Sequence, residues 1–231
     1  MNMKPAIILL SGRIDSAATL YLALKKGFKP KALIFDYGQR HKKEIGFAKR
    51  LAKKARCEYK VLKLSFPKVS SSLLSRKKRI PLKRTLNEIK KGIPSTYVPA
   101  RNLIFLSIAV SFAEEMKASA IFIGAHTEDY SGYPDCREEF FKAFKKVINK
   151  GTKDGKNIKI YTPLINKTKK DIIKLGIKLR VPFRLTWSCY KGSKNPCGKC
   201  DSCVFRTQAF KQLNITDPYF KKKNVSLRGN K

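Results

Sequence analysis

A chain of 231 residues with 42% hydrophobic content can bury one good core and sits near the upper size for a single domain. Its one apolar run near the N-terminus, residues 6–10, is far shorter than a secretory signal, and nothing approaches membrane-spanning length, so a cytoplasmic chain is expected. The formal net charge of +36 directs attention to polyanionic partners, nucleotides among them.

Residues 6–10 read as a buried strand, 17–26 as a helix ended by Gly27, and 31–36 as a second strand. A helix over 42–56 and a strand over 59–64 complete one βαβαβ unit of a parallel sheet. From 65 to 100 the periodicity fades, and Pro81, Pro94 and Pro99 break any long element, the pattern of a lid or a disordered connection. An apolar helix over 102–117, a buried strand over 120–124, an amphipathic helix over 138–148, a strand over 158–162 and a helix over 169–179 follow. The expected architecture is a doubly wound α/β domain with a five-stranded parallel sheet over residues 1–185, carrying a packed C-terminal segment over 186–231.

Basic residues are spread along the whole chain, densest at Arg76–Arg79, at Lys167 with Lys169 and Lys170, and at Lys221–Lys223. That spread fits a solvated lysine-rich surface with non-specific nucleic-acid attraction better than a dedicated RNA-binding tail.

Four of the six cysteines, Cys189, Cys197, Cys200 and Cys203, crowd one short segment. Cys-x-x-Cys spacing in a chain without an export signal reads as metal ligation, with zinc the default. Four thiolates close a tetrahedral shell, so one structural Zn²⁺ per chain is expected, bracing the C-terminal segment. Cys57 reads as packing, and Cys136 as a small buried thiol.

Ser11-Gly12-Arg13-Ile14-Asp15-Ser16 joins the first strand to the first helix, where loop N–H groups and a helix N-terminus can face a phosphate. Its spacing is not that of a Walker loop, and by itself an ordinary capped turn fits it equally well. Asp36-Tyr37-Gly38-Gln39-Arg40-His41, Val98-Pro99-Ala100-Arg101-Asn102 and Tyr133-Pro134-Asp135-Cys136-Arg137 each follow a strand or open a helix. They therefore lie toward the carboxyl edge of the sheet, where ligands bind in such folds. Thr186-Trp187-Ser188-Cys189 begins the cysteine loop, and Trp187 and Tyr190 fit either base stacking or packing. Asp15 is either a metal- or phosphate-orienting carboxylate or a helix cap, and Arg101 either an anion clamp or an exposed first-turn arginine. His126, in a loop after a strand, is a candidate neighbour of the substrate.

Together these segments, spanning residues 7–206, resemble the 7-cyano-7-deazaguanine synthase (QueC) family of the N-type ATP pyrophosphatase superfamily. The resemblance implies an adenine nucleotide alpha hydrolase-like fold and a ligase that converts 7-carboxy-7-deazaguanine and ammonia to the nitrile. ATP would be split to AMP and pyrophosphate through adenylated intermediates, in a pathway toward queuosine or archaeosine. It implies ATP with Mg²⁺ along Leu10, Ser11, Gly12, Arg13, Ile14, Asp15, Ser16, Ala17, Ala18, Thr19 and Leu20. It also implies Asp15, Ser16 and Arg101 in catalysis, Tyr133, Asp135 and Arg137 at the deazaguanine, and a homodimer as one possible assembly. One departure stands out: the family's loop has a second glycine where this chain has Arg13. If positive φ is needed there, a side chain costs ~1–2 kcal/mol; otherwise its guanidinium can meet a phosphate. A tRNA-modifying or deazaguanine-conjugating relative, and a non-catalytic RNA-binding zinc protein, are the alternatives.

Overall fold

The computed structural model describes residues 3–67, 71–89, 92–126 and 133–219; the basic cluster at 221–223 lies outside them. The chain runs β1 (Lys4–Leu9), α1 (Ile14–Lys25), β2 (Phe28–Asp36), α2 (Lys43–Lys54) and β3 (Tyr59–Lys63). A single turn, α3 (Leu86–Ile89), precedes α4 (Arg101–Glu115), β4 (Ala120–Phe122), α5 (Glu138–Gly151), β5 (Lys159–Tyr161), α6 (Lys169–Lys178) and α7 (Asp201–Lys211). All strands pair in parallel in the order β3-β2-β1-β4-β5. The chain thus winds outward from β1 on one side and resumes at β4 on the other. The gap this leaves beyond the carboxyl ends of β1 and β4 is the place such a sheet offers a ligand.

The period of two along each strand divides the core into two layers. Ala6, Ile8, Ala32, Ile34, Ala120 and Phe122 pack with Ala17 and Leu20 of α1, Ile172 and Ile173 of α6, and Phe210 of α7. Ile7, Leu9, Leu33, Phe35 and Ile121 pack with Leu106, Ala109 and Val110 of α4 and Phe141 and Phe144 of α5. Burial on both faces makes β1 read as a continuous apolar run instead of an alternating one. Burying each of its isoleucines contributes on the order of 1.5–3 kcal/mol.

β2 starts at Phe28, earlier than the periodicity suggests, and passes through Pro30. Ala32 N–H donates to Glu58 of the β3 side, and Pro30, two residues earlier, has the same orientation before β3 pairing begins. Its missing N–H therefore leaves no ladder bond unmade. α7 was not legible because its buried positions include Asp201, Ser202 and Arg206, so no apolar stripe marks it. Within the connection between β3 and α4, read from the sequence as a lid or a disordered stretch, residues 82–84 are held by the cysteine segment. Leu82 bridges Cys200, Lys83 N–H donates to Lys199 O at 2.8 Å, and the Arg84 guanidinium pairs with Asp201.

Candidate active site

The Ser11–Ser16 loop is closed by its own hydroxyls. Ser11 N–H donates to Ser16 Oγ at 3.2 Å, the two Oγ atoms lie 3.0 Å apart, and Ser16 Oγ donates to Arg13 O at 3.2 Å. The left-handed residue is Gly12, at φ +80°. A Cβ there would fall 2.4 Å from Glu44 O and 2.7 Å from Ala48 N, so α2 leaves no room for any other residue. Arg13 has φ −92° and ψ 168°, ordinary extended backbone. The strain considered for a side chain at this position is therefore absent. Of the stretch from Leu10 to Leu20, Leu10, Ser11, Arg13, Asp15 and Ser16 line the adjacent cavity. Ile14, Ala17, Ala18 and Leu20 pack in the core instead, and Thr19 Oγ1 donates to Asp15 O at 2.9 Å.

Asp15 is not the helix cap, a position that Arg13 occupies. It is buried inside the first turn of α1, with Lys169 Nζ 2.6 Å and His126 Nε2 3.5 Å from its Oδ1. Lys169 Nζ is also 3.0 Å from His126 Nε2. Burial alone would raise the Asp15 pKa, but Lys169, His126 and Arg13 outweigh it and hold the carboxyl below its usual range. Lys169, which the sequence places in a solvated basic cluster, is 7% exposed. A capping box orients it: Asp171 N–H donates to Thr168 Oγ1 at 3.1 Å and Thr168 N–H to Asp171 Oδ2 at 3.3 Å. That fixes Lys169 as the first residue of α6, turned inward, while Lys170 is exposed. The capping box itself was the available signal. Gly124 brings β4's end against this group, since a Cβ on it would lie 2.9 Å from the Asp15 carbonyl carbon.

The cavity, about 150 Å³, has an apolar floor that includes Leu9, Ile34, Phe35, Phe105 and Ile123. Arg101, Tyr37, Tyr133, Cys136, His41 and Tyr190 also line it. Burial would lower the Arg101 pKa, but Tyr37, Tyr133, Cys136 and Asp135 around it raise it on balance, so the guanidinium stays charged wherever those phenols are still neutral. Burial raises both Tyr37 and Tyr133, which remain neutral phenols, and the Tyr133 hydroxyl lies 2.7 Å from Thr96 Oγ1. Asp135 does not line the cavity. Its Oδ2 accepts from Asn102 N–H at 2.9 Å, and its carbonyl from Asn102 Nδ2 at 3.1 Å, which anchors the start of α4. Arg137 is exposed and outside the lining. Trp187, 1% exposed, donates Nε1–H to Cys189 O at 2.8 Å and serves packing, whereas Tyr190 reaches the cavity.

The Sγ atoms of Cys189, Cys197, Cys200 and Cys203 all lie within 4.8 Å of one another, so this cluster can hold a metal ion. Cys197 N–H donates to Cys189 Sγ and Cys200 N–H to Cys197 Sγ, each at 3.3 Å, contacts that favour thiolates. The donor set fits a thiophilic divalent ion in a closed shell. Cys57 is remote from this group; burial pushes its thiol up to about 11.

A parallel sheet with a closed Ser-Gly loop at the end of its first strand, and the half-buried Arg101 lining the same cavity, defines an α/β protein with a candidate ligand site at the carboxyl edge of its sheet. The family model for "Queuosine biosynthesis protein QueC" matches residues 5–214, and the chain belongs to that family. It is similar to the 7-cyano-7-deazaguanine synthase of Thermoplasma volcanium, 46% identical over 217 residues, 93% of this chain and 90% of that one. The 7-cyano-7-deazaguanine synthase of Acetivibrio thermocellus is 48% identical over 219 residues, 93% of this chain and 96% of that one. Among solved structures, NMN synthetase from Francisella tularensis aligns at 17% identity and TM-score 0.49 over 93% of this chain and 79% of that one. A 4-thiouridine synthetase in complex with RNA and ATP aligns at 18% identity and TM-score 0.48, over 90% of this chain and 53% of that one. Among the described residues no helix is long and apolar enough to cross a membrane.

Proposed function

We propose that the chain is a cytoplasmic ligase that converts 7-carboxy-7-deazaguanine and ammonia to 7-cyano-7-deazaguanine at the expense of ATP. The observation that carries the reading is family membership over residues 5–214, with the phosphate loop and Arg101 on the walls of one cavity. In the first step the substrate carboxylate attacks the α-phosphorus, giving the acyl adenylate and pyrophosphate. Ammonia then displaces AMP to give the amide. The amide oxygen attacks the α-phosphorus of a second ATP, releasing pyrophosphate and one N–H proton, and loss of AMP with the second N–H proton leaves the nitrile.

No protein nucleophile is required, so the residues act by positioning and by stabilising developing charge. The Ser11 and Ser16 hydroxyls and the N-terminus of α1 face the pyrophosphate. Lys169, which does not itself line the cavity, holds the Asp15 carboxylate in place and ionised. Mg²⁺ brought with the nucleotide would be held by Asp15 and would offset phosphate charge. Arg101 steadies the carboxylate and then the acyl phosphate, and Tyr133 contacts the deazaguanine. Asp135 serves indirectly by fixing Asn102, and with it Arg101. Zinc on the four cysteines would be structural, since a closed shell leaves no position for water.

The test is incubation with ATP, Mg²⁺, ammonium and the acid, followed by mass analysis for the nitrile and quantitation of AMP. Nitrile is expected from the parent and no AMP from Asp15→Ala. Failure of the acid to stimulate AMP release by the zinc-loaded parent would overturn the proposal.

A further inference from the structure

Arg13 makes contacts between parts of the molecule that a glycine at this position could not make. Its Nη2 donates to Ser202 Oγ at 2.8 Å, its Nη1 is 3.7 Å from Glu44 Oε1 of α2, and its guanidinium carbon is 5.3 Å from the Tyr190 ring centre. The side chain is 17% exposed and lines the cavity. Ser202 lies between Cys200 and Cys203 on the first turn of α7, and Tyr190 directly follows Cys189. The position of both contacts is therefore set by cysteines of the metal cluster. Next to Arg13, Gly12 O accepts from Trp187 N–H at 2.9 Å, so the cysteine segment grips the loop at adjacent residues.

We propose that Arg13 is a positioning residue that couples the cysteine segment to the phosphate loop, so that metal on the four thiolates and nucleotide in the cavity stabilise one another. The inference rests on the reading of this loop as the nucleotide site. The guanidinium carries five N–H donors in a planar fork, so one edge can hold Ser202 while another meets an anionic phosphate. Metal loss frees Cys200 and Cys203, and with them the Ser202 that fixes the guanidinium. Nucleotide that orders Arg13 in turn holds Ser202, and the turn carrying two of the four cysteines, in place. A coupling of this kind is reciprocal.

The experiment follows zinc transfer from the holoprotein to a chromogenic chelator, with and without Mg·ATP at a concentration that titration calorimetry shows to be saturating for each variant. In the parent, nucleotide is expected to slow zinc release about tenfold. In Arg13→Gly and, from the other side of the contact, Ser202→Ala, slowing falls to about threefold or less, with the Trp187 to Gly12 bond carrying the remainder. A purely structural role for Arg13 would speed release equally with and without nucleotide and leave the ratio at the parent's value, which overturns the proposal. If the parent binds ATP while its zinc release is indifferent to it, the coupling fails and the nucleotide site stands. If calorimetry detects no ATP binding to the zinc-loaded parent, both fail together.

Discussion

Replacing Lys169 by methionine keeps most of the side chain's volume and removes the charge that faces Asp15. Both partners are buried, at 7% and 8% exposure, with 2.6 Å between Nζ and Oδ1, so solvent screening gives little relief. Breaking such a pair from one side leaves an uncompensated charge and costs about 3–5 kcal/mol. For a chain of this size that lowers Tm by about 6–20 °C. The pH dependence has a definite sign. Asp15 has its folded pKa depressed below the ordinary 3.8, so the stability it contributes is present above that value and lost as the pH falls below it toward the folded pKa. In Lys169→Met burial is opposed only by His126 and Arg13, and this acid-sensitive part shrinks. Urea unfolding between pH 7 and pH 3 measures both effects. Adding Asp15→Asn removes the stranded charge, so the double variant is expected to recover about 2 kcal/mol or more over Lys169→Met. A loss under about 1 kcal/mol in Lys169→Met, or a double variant as unstable as the sum of its parts, would refute the buried-pair account.

Gly12→Ala is expected to cost about 1–2 kcal/mol for its φ of +80° and a further ~1–3 kcal/mol for the contact with the α2 backbone. A Tm equal to the parent's would show that the loop does not press on α2. The protein should carry about one zinc per chain, and Cys200→Ser should lower metal content and Tm together; full zinc retention in Cys200→Ser/Cys203→Ser refutes the tetrathiolate site. With a net charge of +36, binding to tRNA and to an unrelated duplex should be similar and should fall steeply from 50 to 200 mM salt. Tight tRNA-selective binding at the higher salt would support the RNA-modifying alternative.

The strand and helix order was legible because both-face burial gives β1, β2 and β4 their apolar runs and the crossover helices keep their period. The cysteine cluster was legible from residue type and spacing, since it needs only local chain, whereas the Ser11–Ser16 loop and Arg101 stood out only through the family resemblance, because an ordinary capped turn and an exposed arginine carry the same local pattern. What the sequence could not decide is which distant side chains meet. Lys169 reads as one lysine in a basic cluster, and only the packing of α6 against α1 brings it to Asp15, 154 residues away. Asp135 reads as a base-recognising carboxylate, yet the fold turns it to the unpaired N–H at the start of α4, a demand that arises when that helix end is buried. The extended backbone at Arg13 likewise shows only in the folded chain, where Gly12 takes the left-handed turn. Local pattern fixed the elements because periodicity and spacing are properties of contiguous chain, whereas the partners of each charge were decided by tertiary packing, which selects among many lysines and carboxylates by position.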